Sequence, residues 1–152
     1  MFDNMMMRTI PVLYRLALAA WAGGAALYTF TLTPALFRAY DRDAAGAIVG
    51  ILMPGYFRWG LACGAAALLC LLVVRPPGTA LRAAILAAML VVVSLQAFVV
   101  EPRAAALKKE IPSFVTTPVT HPARQAFRKL HGLSMAGNLG VIGGGAVLLI
   151  LL

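Results

Sequence analysis

Arg124, Arg128, His131, Ser134 and Asn138 follow one another at intervals of four, three, three and four residues. A helical turn takes 3.6 residues, so this spacing puts all five on one face of a helix. Two guanidiniums, an imidazole, a hydroxyl and a carboxamide in one row can hold an anion, relay a proton or hydrogen-bond a neighbouring helix. Gln96 and Glu101 precede them. If the chain reverses at about residue 116, positions summing to about 232 lie level in an antiparallel helix pair. Glu101 then meets His131, and Gln96 meets Ala136, one turn from Asn138. A carboxylate at a membrane boundary needs a partner to stay ionised, so Glu101 is expected to pair with His131 or an adjacent arginine. The same two groups could act as acid and base in redox or lipid-directed chemistry.

Other chemistries are poorly represented. The second histidine, His121, falls in a link, so a pair of axial haem ligands is not set up, and the sequence leaves the cofactor unknown. Cys63 and Cys70 are seven residues apart in one apolar run. On a helix that is about 10.5 Å, too far for a disulfide, and no zinc-type Cys/His spacing is present. Nor is there a GxSxG, HExxH or Walker-type loop.

These polar residues stand in a chain of 152 residues that is 62% hydrophobic and 12% charged, with a net charge of +8. Soluble domains are roughly 45–50% apolar and about 25% charged. A soluble enzyme and a disordered chain are therefore excluded. The basic residues lie between apolar runs, so lipid headgroups explain them better than nucleic acid does. Uncharged runs cover residues 16–37, 59–74, 83–100 and 132–152. A bilayer crossing takes about 20 residues. The expected fold is all-α: a four-helix transmembrane bundle forming one integral membrane domain over 1–152, with spans of about 14–37, 56–74, 82–101 and 131–152. Arg15 interrupts any leader, and the run after it is long for a signal peptide, so no cleavage is expected.

Four crossings put both termini on one side. That side carries Arg8, Arg15, Arg75 and Arg82; the other carries Arg38, Arg42, Arg58, Arg103, Lys108, Lys109, Arg124, Arg128 and Lys129. The positive-inside rule puts the richer side in the cytoplasm. Ten of the 13 basic residues are Arg, and Ala and Gly abound; this composition suits a bacterial inner membrane protein. Residues 101–110 and 122–131 keep helical composition, with Pro122 suited to a first helical position. Helices three and four should therefore extend beyond the membrane as a basic pair, joined by an irregular stretch at 111–121. Residues 43–52 suggest a short interfacial helix between spans one and two, broken at Pro54–Gly55. Gly60 and Gly64, and Gly132, Ala136, Gly140 and Gly144, recur four apart, which suits close helix packing or a homodimer seam. The Met5–Met7 triplet could bind a soft metal but reads more simply as a terminal run.

The half of each span towards the basic side is the polar half. Tyr28, Thr29, Thr31 and Thr33 approach it, as do Tyr56, Phe57 and Arg58, then Ser94, Gln96 and Glu101, then His131, Ser134 and Asn138. Polar groups inside a membrane are costly and turn towards a bundle interior or wet cavity. One pocket at that end is expected, with Arg38, Tyr56, Gln96, Glu101, Arg103, Arg124, Arg128, His131, Ser134 and Asn138 as ligand contacts. Its contents would be a small anion, a lipid headgroup or a metal species, bound or transported. The same groups could instead only lock the helices together, or serve an assembly partner.

Tyr28-Thr29-Phe30, Leu36-Phe37-Arg38, Leu52-x-Pro54-x-Tyr56-Phe57, Glu101-Pro102-Arg103, Arg124-Gln125-x-Phe127 and His131-Gly132-Leu133-Ser134-x-x-x-Asn138-Leu139-Gly140 together resemble the transmembrane protein 205 family. The pieces keep the family's order over roughly residues 12–150. The 101–131 link is shorter than in the animal members, so no contact there is carried over. The resemblance implies a small multi-pass membrane protein without an established activity. The human member's association with platinum-drug resistance suggests export, trafficking or metal handling.

Overall fold

The computed structural model describes the backbone of residues 2–151 and the side chains of residues 9–151. The Met5–Met7 triplet and the Arg8 side chain lie outside the described side chains. Eight helical segments form four rods. The first comprises α1 (Phe2–Leu27), a π-turn (Tyr28–Leu32) and α2 (Thr33–Ala39); the second is α3 (Arg42–Val74). The third comprises α4 (Thr79–Leu95), a second π-turn (Gln96–Val100) and α5 (Glu101–Lys109); the fourth is α6 (Pro122–Ile150). All four are long and apolar enough to cross a membrane. At 1.5 Å per residue, the 33-residue α3 is about 50 Å long and the 29-residue α6 about 43 Å, against a hydrocarbon core of about 30 Å. Every rod therefore reaches beyond the lipid.

The rods form an antiparallel ring in which one packs on two, two on three, three on four and four on one; the backbones of the diagonal pairs stay apart, and rods two and four meet only through side chains such as Tyr56 and Asn138. Inside it, Leu18, Leu71, Leu86, Leu148 and Val141 are fully buried, with Trp21, Phe57, Met89 and Val93 around them. Lipid tails are as apolar as these side chains, so close packing rather than water exclusion holds such helices together. Small residues make the packing possible. A Cβ on Gly64 would lie 2.5 Å from the Trp21 ring, and one on Gly145 would lie 2.7 Å from Ala22. The four-residue glycine row divides: Gly144 faces Met89, whereas Gly132 and Gly140 meet nothing within 4 Å and Ala136 is exposed. Each four-residue step drifts by about 40° around the helix, so the row cannot stay on one face.

The turn between rods two and three uses a left-handed Arg75 (φ 48°) and Gly78 (φ 78°). At the other end, residues 111–121 are irregular and α6 starts on Pro122, as expected. The separate interfacial helix is not formed: α3 runs unbroken from Arg42 through Pro54. Proline removes the N–H that the Gly50 carbonyl would accept. Donors from neighbouring rods reach the backbone at this level. The Tyr28 hydroxyl donates to the Val49 carbonyl (3.4 Å) and the Lys108 ammonium to the Gly46 carbonyl (2.6 Å). Neither reaches the Gly50 carbonyl itself; they tie the turns of α3 before Pro54 to rods one and three.

Candidate functional site

Two π-turns shape the polar end, and each precedes a proline by one residue. Thr33 N–H bonds the Tyr28 carbonyl, with Pro34 next; Glu101 N–H bonds the Gln96 carbonyl, with Pro102 next. In an unbroken α-helix each proline ring would strike the carbonyl four residues back. Widening the turn by one residue relieves that clash. Tyr28, Thr29 and Gln96, which bond to neighbouring rods, belong to these turns, and π-turns are frequent at functional sites.

The inner tier of the site is a hydrogen-bonded network across the ring. The Tyr56 hydroxyl donates to Asn138 Oδ1, and Asn138 Nδ2 donates to Thr29 Oγ1, tying rods two, four and one. The Ser134 hydroxyl donates to Gln96 Oε1 (2.9 Å), tying rods four and three. Tyr28 stacks on Tyr56 with ring centroids 4.5 Å apart. Gln96 is 4% exposed and lies against the open face of Gly137. Each polar side chain of this network thus has a partner on another rod.

The outer tier is a cavity of about 770 Å³ between the extended ends of the rods. Arg42, Lys108, Arg124, Arg128, Lys129 and His131 line it, and no carboxylate does among the described residues. Its floor is aromatic. Phe114 and Phe127 rings lie 5.0 Å apart, and the His131 ring stacks on Phe127 at 6.0 Å. The Arg42 and Arg124 guanidiniums each sit 6.0 Å from the Phe114 centroid, within cation–π range. Arg124 also donates to the Thr117 carbonyl.

The link is held over this cavity by an aspartate clamp. Asp41 caps α3, accepting from Asp43 N (3.0 Å) and Ala44 N (2.9 Å). Asp43 accepts from the Ser113 hydroxyl (2.5 Å) and from Phe114 N (2.7 Å). Asp43 stands on the first turn of α3, well outside the roughly 20 residues needed to cross. The Ser113 hydrogen bond, then the Phe114 N–H, hold its carboxyl below the ordinary carboxylate range.

The ten expected contacts separate into three groups. Tyr56, Gln96, Ser134 and Asn138 form the inner tier; Arg124, Arg128 and His131 line the cavity. Arg38 and Arg103, which are exposed, and Glu101 line neither. The expected Glu101–His131 pair is absent: Glu101 is half-buried, with no ion pair or hydrogen bond among the described residues. Its residue directly follows the second π-turn, which changes its direction around the helix. Sequence reasoning placed Arg42 and Lys108 on the right side but not in the site, and it missed Asp43, Phe114 and Phe127. The Asp41-x-Asp43 pattern ahead of a long helix was the available signal for the clamp. No group of three His, Cys, Asp or Glu able to hold a metal occurs among the described residues. Cys63 packs in the core and Cys70 lies at the opposite end, so neither joins this cavity.

A family model described as a domain of unknown function (DUF4149) matches residues 16–113. The match spans the first three rods and ends at the clamp; α6 lies beyond it. No curated protein and no solved structure matches the chain.

Proposed function

Because the chain belongs to the DUF4149 family of small membrane domains of unknown function, we propose a role from the site itself: capture of an amphipathic anion at one membrane surface. The observation that carries this reading is the cavity wall, with five Lys or Arg side chains, His131 and no carboxylate among the described lining. Fixed positive charge with an aromatic floor favours a ligand with an anionic head and an apolar body. Arginine forks suit phosphate, sulfonate or carboxylate groups. The volume lies within the roughly 300–1,000 Å³ of small-molecule pockets.

The count of basic residues favours a cytoplasmic cavity in a bacterial inner membrane. Similarity to the transmembrane protein 205 family supports a part in moving small solutes, for which capture at one leaflet would be a first step. A metal species is the weaker choice, because the donors gathered here are cationic.

The test compares dodecyl phosphate, dodecylphosphocholine and dodecyltrimethylammonium as ligands of the full chain in neutral detergent, with an Arg124→Gln/Arg128→Gln variant beside wild type. The expected order of affinity is phosphate first, with the cation last, and the variant loses about tenfold or more for the phosphate alone. Equal affinity for all three, or a variant that binds like wild type, overturns the proposal.

A further inference from the structure

The opposite end of the bundle holds a second cavity, of about 380 Å³. It is walled by the early part of α1, the end of α3 and the turn into α4. Tyr14, Arg15 and Arg82 supply its polar groups, and Pro11, Leu71 and Val74 much of its apolar wall. No carboxylate occurs among its described lining.

Tyr14 is the informative residue. It is 6% exposed, and its hydroxyl is buried without a hydrogen-bond partner among the described residues. An orphan hydroxyl in an apolar setting is costly, and such groups in native proteins nearly always have a partner. The donors beside it have capacity to spare. Arg82 donates one nitrogen to the Leu151 carbonyl, leaving other N–H groups of its guanidinium. Arg15 has no hydrogen bond or ion pair among the described residues. Two guanidiniums and a phenol offer donors only towards a fully ionised oxyanion, and phosphate matches that set.

Position supports the same ligand. Tyr14 and Thr33, which lines the first cavity, are 19 residues apart on one rod. That is about 28 Å, close to the hydrocarbon thickness of about 30 Å. The two cationic cavities therefore begin about one hydrocarbon thickness apart, one towards each headgroup region. We infer that the second cavity is an anion site of its own, taking a phosphate group either carried by a phospholipid or free in solution. It shares no residue with the first cavity, so the two proposals fail separately.

The experiment titrates the full chain in dodecyl maltoside with inorganic phosphate, with phosphatidylglycerol, and with a diacylglycerol of the same chains as the phosphate-free control. Native mass spectrometry counts the adducts. Variants are Tyr14→Phe and Arg15→Gln/Arg82→Gln, each made in wild type and in the Arg124→Gln/Arg128→Gln background, which isolates this site from the first. Tyr14→Phe is expected to weaken one phosphatidylglycerol adduct about tenfold, the worth of one hydrogen bond to a charged group. It also raises the unfolding midpoint of the ligand-free chain, because the orphan hydroxyl is gone. The arginine pair variant loses that adduct. Phosphatidylglycerol binding without inorganic phosphate binding assigns the group to a phospholipid; binding of both extends the site to free phosphate. If wild type binds neither probe above the diacylglycerol control, or both variants bind as wild type does, the site does not exist. Tyr14→Phe keeps the ring and decides the matter even if the arginine variant fails to fold.

Discussion

Replacing Asn138 by alanine removes the centre of the inner network. Its carboxamide accepts from Tyr56 and donates to Thr29, so one truncation breaks two contacts between three rods. Interhelical hydrogen bonds in membranes are worth about 0.6 kcal/mol on average and at most about 1.7. Asn138→Ala is therefore expected to cost about 1.2 kcal/mol. Tyr56→Phe removes one of the two contacts and should cost about 0.6 kcal/mol. Because both singles break the same bond, the double variant should fall short of their sum by about 0.5 kcal/mol. Reversible unfolding of the full chain in mixed micelles, followed through the buried Trp21, reads all four corners of the cycle. Additivity within about 0.3 kcal/mol would refute a direct Tyr56–Asn138 bond. A loss at Asn138 with no loss at Tyr56 would place the contribution on Thr29 alone.

Gly64→Ala should destabilise by about 1–3 kcal/mol, since its Cβ meets the Trp21 ring and Leu90, whereas Gly140→Ala meets open space and should change unfolding little. Deleting the exposed Phe98 should leave a folded chain, because the π-turn that holds it carries one residue more than an α-turn; deleting Leu86 from the buried face of α4 should abolish the folded fraction on size-exclusion chromatography. The Asp43 clamp should loosen in acid. Its folded carboxyl titrates below the ordinary range, so its stabilisation is complete above the unfolded pKa of about 3.9 and disappears as pH falls through the lower folded value. Hydrogen exchange at Phe114 should accelerate over that interval, and in Asp43→Asn already at neutral pH; an unchanged rate in both would contradict the clamp. A cysteine replacing the exposed Val115 should react with impermeant maleimide from the cytoplasmic face only; labelling on intact cells would reverse the proposed orientation.

Much of this arrangement could be read from residue order. Charges interrupting apolar runs mark the four rods, because a charge inside hydrocarbon is costly. The 3.6-residue period puts Arg124, Arg128 and His131 on one cavity wall and carries the same face inwards to Ser134 and Asn138. Level pairing of rods three and four brings Gln96 to Ser134, two residues from the expected Ala136. Glu101 shows where this reasoning ends. Equal height fixes position along the helices but not direction around them, and the π-turn at 96–100 moves that direction within one turn. Hydrophobic periodicity gives no sign of such a turn; the Thr33-Pro34 and Glu101-Pro102 steps are its local trace. Pro54 makes the opposite case, since the same residue type reads as a break but lies inside an unbroken α3 whose preceding turns are tied to rods one and three by Tyr28 and Lys108. The clamp was hidden because Asp43 and Ser113 are 70 residues apart.

The basic end of the bundle is proposed to form an open cavity that holds an anion. An electron cryomicroscopy map of the full chain in nanodiscs containing phosphatidylglycerol tests it most directly. A headgroup-sized feature is expected between Arg124, Arg128 and Lys108, within hydrogen-bonding distance of a guanidinium and against the Phe114 ring. A map in which those side chains point apart into solvent, or in which the link has closed over an empty space, would contradict it.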